Sequence, residues 1–325
     1  RASTPPSCLL TQISRHDRAI DTVVFGEGLQ AGDIRLIKQG NDLRVEFTGT
    51  TETLTIRNWF QSNYYRIERF EFVDGSVLSP TDLEGLGIVS VAGGGSGNDT
   101  LSGSSISVTN DEIYGYEGND LLRGYDGDDS AYGGAGNDTV YGGDGNDAVY
   151  GEAGPDILYG EKGQDVLVGG DGNDSIYGGN SNDVMAGGAG ADYLEGGSGS
   201  DTYQFSQSGG GDTINNYDTS TSSTDTLTLL DANRENIWFS HSGNNLVITV
   251  AGTTDQVTVT NWYGGTSYQL DTFTVSGCAL QNTAVDQLVS AMAAYAVPYG
   301  AGNDIPQAVQ DALAPVISAT WQPGA

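Results

Sequence analysis

A nine-residue repeat runs without a gap from Gly115 to Gln204 and constrains the fold more than any other feature of the chain. Lines such as GGAGNDTVY and GGDGNDAVY share the pattern G-G-x-G-x-D-x-U-x, in which U is usually a large apolar residue. An earlier copy spans Gly94 to Ser102, and one further aspartate keeps the register just before the first line. The aspartates in this register are Asp99, Asp111, Asp120, Asp129, Asp138, Asp147, Asp156, Asp165, Asp174, Asp183, Asp192 and Asp201.

Each line predicts one strand and one turn. The x-U-x triplet is typical of a short strand whose U side chain points inward, and the six residues before it predict a turn in which glycine permits a positive φ. Two strands and two turns then form one coil of eighteen residues. Aspartates nine residues apart lie on opposite edges of such a roll, and aspartates eighteen apart stack at about 5 Å, the spacing of neighbouring strands.

Stacked carboxylates at that distance repel one another unless a cation lies between them. Calcium suits the position because it is a hard ion that takes several oxygen ligands and tolerates irregular geometry, whereas magnesium demands a tight octahedron. The predicted stacks are Asp111, Asp129, Asp147, Asp165, Asp183 and Asp201 on one edge, and Asp99, Asp120, Asp138, Asp156, Asp174 and Asp192 on the other.

The charge of the repeat region agrees with a metal column. Residues 94–204 contain 21 acidic and two basic side chains, so about ten calcium ions, one between each stacked pair, would nearly neutralise it. The whole chain has 43 acidic and 12 basic residues, a formal net charge of −31, which argues against nucleic acid and anionic membranes as primary partners. One apolar residue per half-coil is too thin a core to offset the ordering of the backbone, so calcium must supply much of the folding free energy.

These lines resemble the RTX nonapeptide repeat, the calcium-binding parallel β-roll of type I secreted bacterial proteins, over about a third of the chain. The resemblance implies a chain that stays unfolded where calcium is scarce and is exported by type I secretion machinery, through its transporter and membrane-fusion components. It also implies folding outside the cell, where calcium is plentiful. The expected location is therefore secreted, extracellular or at the cell surface.

Three lines depart from the pattern. Ala131 occupies a U position, Pro155 stands at the fifth position of its line, and Ser181 replaces the usual glycine at the fourth. We expect these lines to bind less tightly or to distort locally.

The flanks of the repeat are two copies of one module. Residues 34–75 and 237–278 align at a constant offset of 203, and both alternate apolar and polar residues. The pattern predicts a β-hairpin in each copy, with its turn at Gly49 or Gly252. The modules resemble the β-rich domain that borders RTX rolls in large secreted proteins.

Both modules carry a tryptophan, Trp59 and Trp262, next to an asparagine. A tryptophan could stack on a sugar, but each of these follows a strand that ends a hydrophobic alternation, which favours core packing against the end of the roll. A roll has two open ends with unpaired strand groups, and a capping module at each end is the expected remedy.

The repeat theme continues loosely after Gln204. We expect Asp212 to complete one more site over Asp192, with Asp225 as an assisting residue. The triplet that begins at Asp225 also aligns with the one that begins at Asp21, so a structural role in the duplicated module competes evenly.

The C-terminal tail predicts two helices, over about residues 283–297 and 306–319. A poorly charged tail after an RTX roll resembles a type I secretion signal, and we favour that role. An ordinary helical cap on the last module is the alternative, and both roles can hold together.

No catalytic constellation is visible in the sequence. His16 and His241 lie in separate segments without metal-ligand spacing, and neither H-E-x-x-H nor G-x-S-x-G occurs. Cys8 and Cys278 lie far apart and are expected to be unpaired. We expect the chain not to be an enzyme.

The sequence therefore predicts an all-β fold, a parallel β-roll flanked by two homologous β-rich capping modules with a short helical tail. The expected segments are a flanking module over residues 1–90, the roll over 91–208, a second module over 209–282 and the tail over 283–325. The expected function is that of a calcium-folded C-terminal module of a large type I secreted protein, which nucleates folding outside the cell. The alternative is an adhesin module whose flanks bind a cell surface or a glycan.

Overall fold

A computed structural model shows a chain whose described residues form mostly β-strands, with a short helix at residues 80–84 and further helices near the C-terminus. It divides into two compact units, one drawn from residues 1–92 and 103–112, the other from 93–102 and 113–325. The predicted boundaries of four segments stay a prediction. The structure describes residues 10–14, 22–26, 29–30, 33–39, 42–48, 53–57, 59, 67, 69–84, 88–103, 110–206, 209–220, 222–300, 302 and 304–323.

The first unit contains two small groups of strands. Its elements are β1 (Leu10–Ser14), β2 (Thr22–Phe25), β3 (Ile34–Gln39), β4 (Asp42–Phe47), β5 (Thr53–Ile56), β6 (Arg69–Glu71), β7 (Val77–Leu78), α1 (Pro80–Glu84) and, in its larger part, β8 (Ile88–Gly93). Strands β3, β4 and β5 are antiparallel neighbours, and the pairing of Val45 with Leu54 confirms the first predicted hairpin. Its predicted turn at Gly49 lies outside the described residues.

The repeats form a parallel β-roll, as the sequence predicts. Its strands are β9 (Thr100–Ser102), β10 (Asp111–Glu117), β11 (Leu121–Asp126), β12 (Ser130–Ala135), β13 (Thr139–Asp144), β14 (Ala148–Ala153), β15 (Ile157–Lys162), β16 (Val166–Asp171), β17 (Ser175–Asn180), β18 (Val184–Ala189), β19 (Tyr193–Ser198) and β20 (Thr202–Phe205). Each strand from β11 to β18 pairs in parallel with the strand two further along, so two sheets alternate down the roll.

The strands of the roll are longer than the predicted triplet. Strand β13, for example, spans six residues, because it continues through the first three positions of the next line. The backbone of those positions also pairs with the neighbouring coil, as Gly143 does with Glu161. The inward residue at U is buried as expected in every line, and even Ala131 is almost fully covered.

Tight turns explain why the lines are rich in glycine. Gly136 has a φ of +145°, and a Cβ at that position would lie 1.6 Å from the carbonyl oxygen of Gly118 in the preceding coil. Ser181 adopts a φ of +81° at the same position of its line. This left-handed conformation is unfavourable for a residue with a Cβ, so Ser181 is strained there while its turn keeps the positive φ of the other lines.

Tyrosines at the ninth position stack along the outer faces of the roll. Tyr159 lies between Tyr141 and Tyr177, with ring centroids 4.8 and 5.0 Å apart and nearly parallel planes. Tyr132 and Tyr150 stack in the same way on the other sheet. These ladders bury aromatic surface at a spacing set by the coil itself.

The second flanking module continues both sheets of the roll. Its strands are β21 (Gly211–Ile214), β22 (Thr226–Leu229), β23 (Ile237–Ser242), β24 (Asn245–Val250), β25 (Gln256–Val259), β26 (Thr272–Val275), β27 (Cys278–Gln281) and β28 (Gln322–Pro323). One sheet continues from β20 through β22 to β26, and the other from β19 through β21 to β25, all parallel. The module therefore covers the open C-terminal end of the roll, as predicted for a cap.

The duplicated tryptophans pack in equivalent ways within their own units. Trp59 lies 5.9 Å from Phe70, and Trp262 lies 5.7 Å from Phe273, between ring centroids. Both tryptophans are buried, which agrees with core packing and leaves neither ring face open to a sugar. Strands β23, β24 and β25 are antiparallel neighbours, and Gly252 lies in the turn between β24 and β25, as predicted.

The tail folds back onto the second module through two helices, α2 (Val285–Met292) and α3 (Gln307–Thr320). Helix α2 ends five residues before the predicted bound, because the buried apolar stripe ends with Met292 while Tyr295 and Val297 are exposed. Trp321, just after α3, is buried and lies 6.5 Å from the ring of Phe239.

Two single residues from the sequence analysis complete the fold. His241 lies in strand β23 and packs edge-on against Tyr263. Cys278 is a free cysteine, whereas Cys8 and His16 lie outside the described residues. No helix among the described residues is both long and apolar enough to cross a membrane.

Candidate metal centre

The sixth-position aspartates line the two edges of the roll, each just before a strand except Asp111, which is the first residue of β10. Those in the coils are buried although they are charged residues, with between 1% and 3% of each exposed: Asp111, Asp120, Asp129, Asp138, Asp147, Asp156, Asp165, Asp174, Asp183, Asp192 and Asp201. Aspartate is almost never fully buried unless it is paired. The buried row therefore needs a compensating partner.

One carboxylate oxygen has such a partner in the backbone in most of these residues, namely Asp120, Asp138, Asp147, Asp156, Asp165, Asp174, Asp183, Asp192 and Asp201. The amide of Asp138 donates to Oδ1 of Asp156 at 2.7 Å, and the amide of Asp156 donates to Oδ1 of Asp174 at 2.8 Å. The opposite edge repeats the pattern from Asp165 to Asp183 at 2.9 Å. Oδ1 thus holds neighbouring coils in register, and the predicted stacking of aspartates eighteen residues apart is what the structure brings together.

The second carboxylate oxygen is different. Within the described part of the chain, Oδ2 is buried and accepts no hydrogen bond in Asp120, Asp138, Asp147, Asp156, Asp165, Asp174, Asp183 and Asp192. A buried charged acceptor without a donor costs several kcal/mol unless a cation compensates it. These Oδ2 atoms recur at the same position in successive coils, so the fold creates a column of positions at which a cation is favoured.

A second oxygen points to the same place. A Cβ added to Gly133, the first residue of its line, would lie 2.6 Å from Oδ2 of Asp138 and 2.8 Å from the carbonyl oxygen of Gly151. At Gly169 the corresponding distances, to Oδ2 of Asp174 and to the next coil's glycine carbonyl, are 2.2 and 2.4 Å. Glycine is required because no side chain fits there. A carboxylate oxygen and a backbone carbonyl that converge without a hydrogen between them form the oxygen-only environment that calcium prefers.

The raised pKa values of the stacked aspartates agree with carboxylates that require a cation for charge compensation. Burial raises the pKa of Asp147 to about 7, the hydrogen bond from the Asp129 amide lowers it in part, and the carboxylate of Asp165 raises it further. Burial likewise raises the pKa of Asp183 to about 8. Both shifts mean that the ionised form is disfavoured in this position unless a cation accompanies it.

At the positions of Gly133, Gly160 and Gly169, one side-chain carboxylate oxygen and one glycine carbonyl oxygen of the next coil come together. Accordingly, no group of three or more His, Cys, Asp or Glu side chains within the described ranges is arranged to hold a metal ion. The residues fit calcium in the manner of a backbone-lined turn, with carboxylate Oδ2 as the charged ligand.

The predicted sites at the two ends of the column differ from each other. Asp99 is only partly buried, and its Oδ2 accepts a hydrogen bond from the Gly95 amide at 2.7 Å. Asp212 is buried, and its Oδ1 accepts from the Asp192 amide at 3.1 Å, so it continues the stack as predicted. Burial raises the pKa of Asp212 to about 7.

The ladder continues beyond Asp212. The sequence offers Asp225 as an assisting residue of the Asp212 site, whereas the structure stacks it on Asp201 of the other edge, and the sequence analysis did not foresee Asp255 and Asp271. The amide of Asp201 donates to Oδ1 of Asp225 at 3.0 Å, and the amide of Asp225 donates to Oδ2 of Asp271 at 3.0 Å. On the other edge, Oδ1 of Asp255 accepts from the Gly210 amide at 3.3 Å. A signal was present, since each of these aspartates is followed, two residues on, by a buried apolar residue, as in the repeat lines.

Comparison with known families agrees with these observations. The repeat matches the family described as RTX calcium-binding nonapeptide repeat (4 copies), over residues 93–105, 107–140, 141–176 and 168–203. The flanks match the family described as haemolysin-type calcium binding protein related domain, over residues 42–82 and 245–277. The two flanking matches overlap the two copies of the duplicated module.

Proposed function

This chain is an RTX-repeat protein whose nonapeptide repeats bind calcium, and from that premise we propose that calcium drives its folding. In this proposal the chain is a non-enzymatic module of a larger protein exported by a type I system, and it nucleates folding outside the cell. The observation that carries the proposal is the column of buried Oδ2 atoms that accept no hydrogen bond in the described coils.

The balance of forces in the roll supports a calcium requirement. Each line contributes one inward apolar side chain, such as Val140 or Leu158, against a backbone ordering cost of roughly 1–2 kcal/mol per residue. Removing calcium would leave the stacked carboxylates of neighbouring coils facing one another. The free energy of calcium binding therefore contributes directly to the folding of this segment, as in other domains whose metal sites do not exist in the unfolded chain.

Export is compatible with this mechanism because the same chain has two states. Where calcium is scarce, the acidic repeats repel one another and favour an extended chain that a transporter and its membrane-fusion partner can thread. Where calcium is plentiful, the roll forms and the second flanking module closes its end. About ten ions would serve the predicted pairs.

The tail can act in both states. In the folded chain, Leu313, Ile317 and Trp321 are buried, and the ring of Trp321 lies 6.5 Å from that of Phe239 in the second module, so the tail is a cap. In the unfolded chain the same residues are available to secretion machinery. We propose that the tail is the export signal first and the cap afterwards.

The adhesin alternative has weaker support. It rested on the two tryptophans of the flanking modules as platforms for a sugar, and both are buried in their own cores. We therefore place folding, rather than glycan recognition, as the function of the flanks.

The test is a calcium titration of the purified, chelator-treated chain, followed by far-ultraviolet circular dichroism with magnesium as the control. We expect a coil-to-β transition that saturates at millimolar calcium or below and that magnesium does not reproduce. Full β structure in excess chelator would overturn calcium-driven folding. Export is tested separately, by comparing the full chain with one truncated at Thr283 in cells that carry a type I transporter, where loss of export is expected.

A further inference from the structure

The last coil of the roll has an unusual inward residue. The U positions before it carry aliphatic side chains, namely Leu122, Ala131, Val140, Val149, Leu158, Leu167, Ile176, Met185 and Leu194. The last line carries Tyr203, which is 1% exposed. A buried tyrosine needs a partner for its hydroxyl, so this residue brings a polar group into a row that is otherwise apolar.

The hydroxyl of Tyr203 reaches the turn of its own line. It accepts a hydrogen bond from the Gly196 amide at 2.9 Å and donates one to Oδ1 of Asn216 at 2.9 Å. A Cβ on Gly196 would lie 2.2 Å from Oδ2 of Asp201 and 2.7 Å from this hydroxyl oxygen. The hydroxyl therefore lies beside the carboxylate at the place where the preceding coils offer a metal position.

The preceding coil on the same edge shows the contrast. A Cβ on Gly178 would lie 2.5 Å from Oδ2 of Asp183 and 2.7 Å from the carbonyl oxygen of Gly196. Two acceptors converge there, and Oδ2 of Asp183 is among the buried oxygens that accept no hydrogen bond in the described coils. At Gly196 the two oxygens nearest to an added Cβ are instead Oδ2 of Asp201 and the hydroxyl oxygen of Tyr203.

The side chain of Asn216 extends the same network to the next coil. Its Nδ2 donates to Oδ2 of Asp225 at 2.8 Å and to the Gln269 carbonyl oxygen at 3.2 Å. Asp225 thus has both carboxylate oxygens satisfied by protein donors, since Oδ1 accepts from the Asp201 amide. Asn216 and Asp225 are both buried.

We propose that the calcium column on this edge ends at Asp183, and that Tyr203, Asn216 and Asp225 form a metal-free closure of the roll. The Asn216 amide supplies to Asp225 the charge compensation that cations supply in the preceding coils, and the Tyr203 hydroxyl occupies the position beside Oδ2 of Asp201. The proposal assigns Asp201 a structural role through Oδ1, which accepts from the Asp183 amide at 2.9 Å. It rests on the proposed function, because it presupposes calcium in the earlier coils.

The test counts calcium ions bound to the full chain by native mass spectrometry at saturating calcium. Asp183→Asn is expected to lose one ion, whereas the matched variant Asp201→Asn keeps the wild-type count, because its amide oxygen still accepts the backbone hydrogen bond. Tyr203→Phe is expected to keep the count and to lower the melting temperature, because Gly196 and Asn216 each lose a partner. Circular dichroism at saturating calcium verifies that each variant is folded.

A lower ion count in Asp201→Asn or in Tyr203→Phe would overturn the proposal while leaving calcium-driven folding intact. A wild-type chain that binds no calcium would instead overturn the proposed function. The two failures are therefore distinguishable in the same experiment.

Discussion

The amide of Asp147 donates a 2.8 Å hydrogen bond to Oδ1 of Asp165, one full coil further along the roll. The other oxygen of Asp165, Oδ2, is buried and accepts no hydrogen bond from the described residues. One carboxylate therefore has two roles, since Oδ1 sets the register of the coils and Oδ2 offers a ligand to a cation. Substitutions that remove the role of Oδ2 and keep that of Oδ1 test this division.

Asp165→Asn should remove one calcium ion and retain the fold, because the amide keeps an acceptor for the Asp147 backbone. Asp165→Ala should be more damaging, since it also leaves that buried amide without an acceptor, at a further cost of about 1–3 kcal/mol. The exposed Asp171, in the neighbouring line, supplies the control Asp171→Asn. Ion counts and calcium-saturated melting temperatures measure both effects, and an Asp165→Asn variant with the full count would contradict the ligand assignment.

Gly160→Ala tests the same site without changing the ligand residue. A Cβ at Gly160 would lie 2.4 Å from Oδ2 of Asp165 and 2.5 Å from the Gly178 carbonyl oxygen, so the methyl group must displace the atoms that would hold the ion. We expect the same ion to be lost, with a destabilisation of about 1–3 kcal/mol from the overpacking. Gly211→Ala is the control, because nothing lies within 4 Å of its added Cβ. If the two variants bound the same number of ions in a calcium titration, the position between Oδ2 of Asp165 and the Gly178 carbonyl oxygen would not be a binding site.

The sequence predicted the roll well because its information is local and periodic. A fixed spacing of aspartate and of the inward residue determines which side chains stack, and the structure places Val140 and Leu158 inward and Asp138 under Asp156 accordingly. The longer strands escaped prediction because positions one to three are glycine-rich and lack the apolar alternation that marks a strand. Only tertiary pairing with the neighbouring coil makes them extended.

The end of the roll could not be predicted from spacing. Asp225 and Asp271 are neighbours in space but 46 residues apart in sequence, since the hairpin of β23 and β24 is inserted between their coils. The closure at Tyr203 depends on Asn216, which the repeat pattern does not include. Once the spacing breaks, the hydrogen-bond partners of a carboxylate are set by inserted loops rather than by the period.

Ser181→Gly should stabilise the folded chain. Ser181 has a φ of +81°, a conformation that costs a residue with a Cβ about 1–2 kcal/mol and costs glycine little. Part of this gain is offset by the greater freedom of glycine in the unfolded chain, so we expect a net gain of about 1 kcal/mol. Denaturant unfolding at saturating calcium measures it. The control Ser175→Gly, within strand β17, should lower stability instead. A stabilisation of similar size in both variants would contradict the claim that the backbone of Ser181 is strained.

Trp321→Ala tests whether the tail is part of the folded cap. Trp321 is 3% exposed and lies 6.5 Å from Phe239, whose backbone amide contacts Sδ of Met292 in helix α2. Removing a large buried aromatic side chain typically costs 3–5 kcal/mol, so we expect a marked loss of stability at saturating calcium. The ion count should not change, because the residue lies in the cap and the carboxylate column lies in the roll. Tyr295→Ala, at a residue that is 38% exposed, should have little effect on either measurement. If Trp321→Ala melted like the wild type, the tail would contribute nothing to the cap, and export would be its sole proposed role.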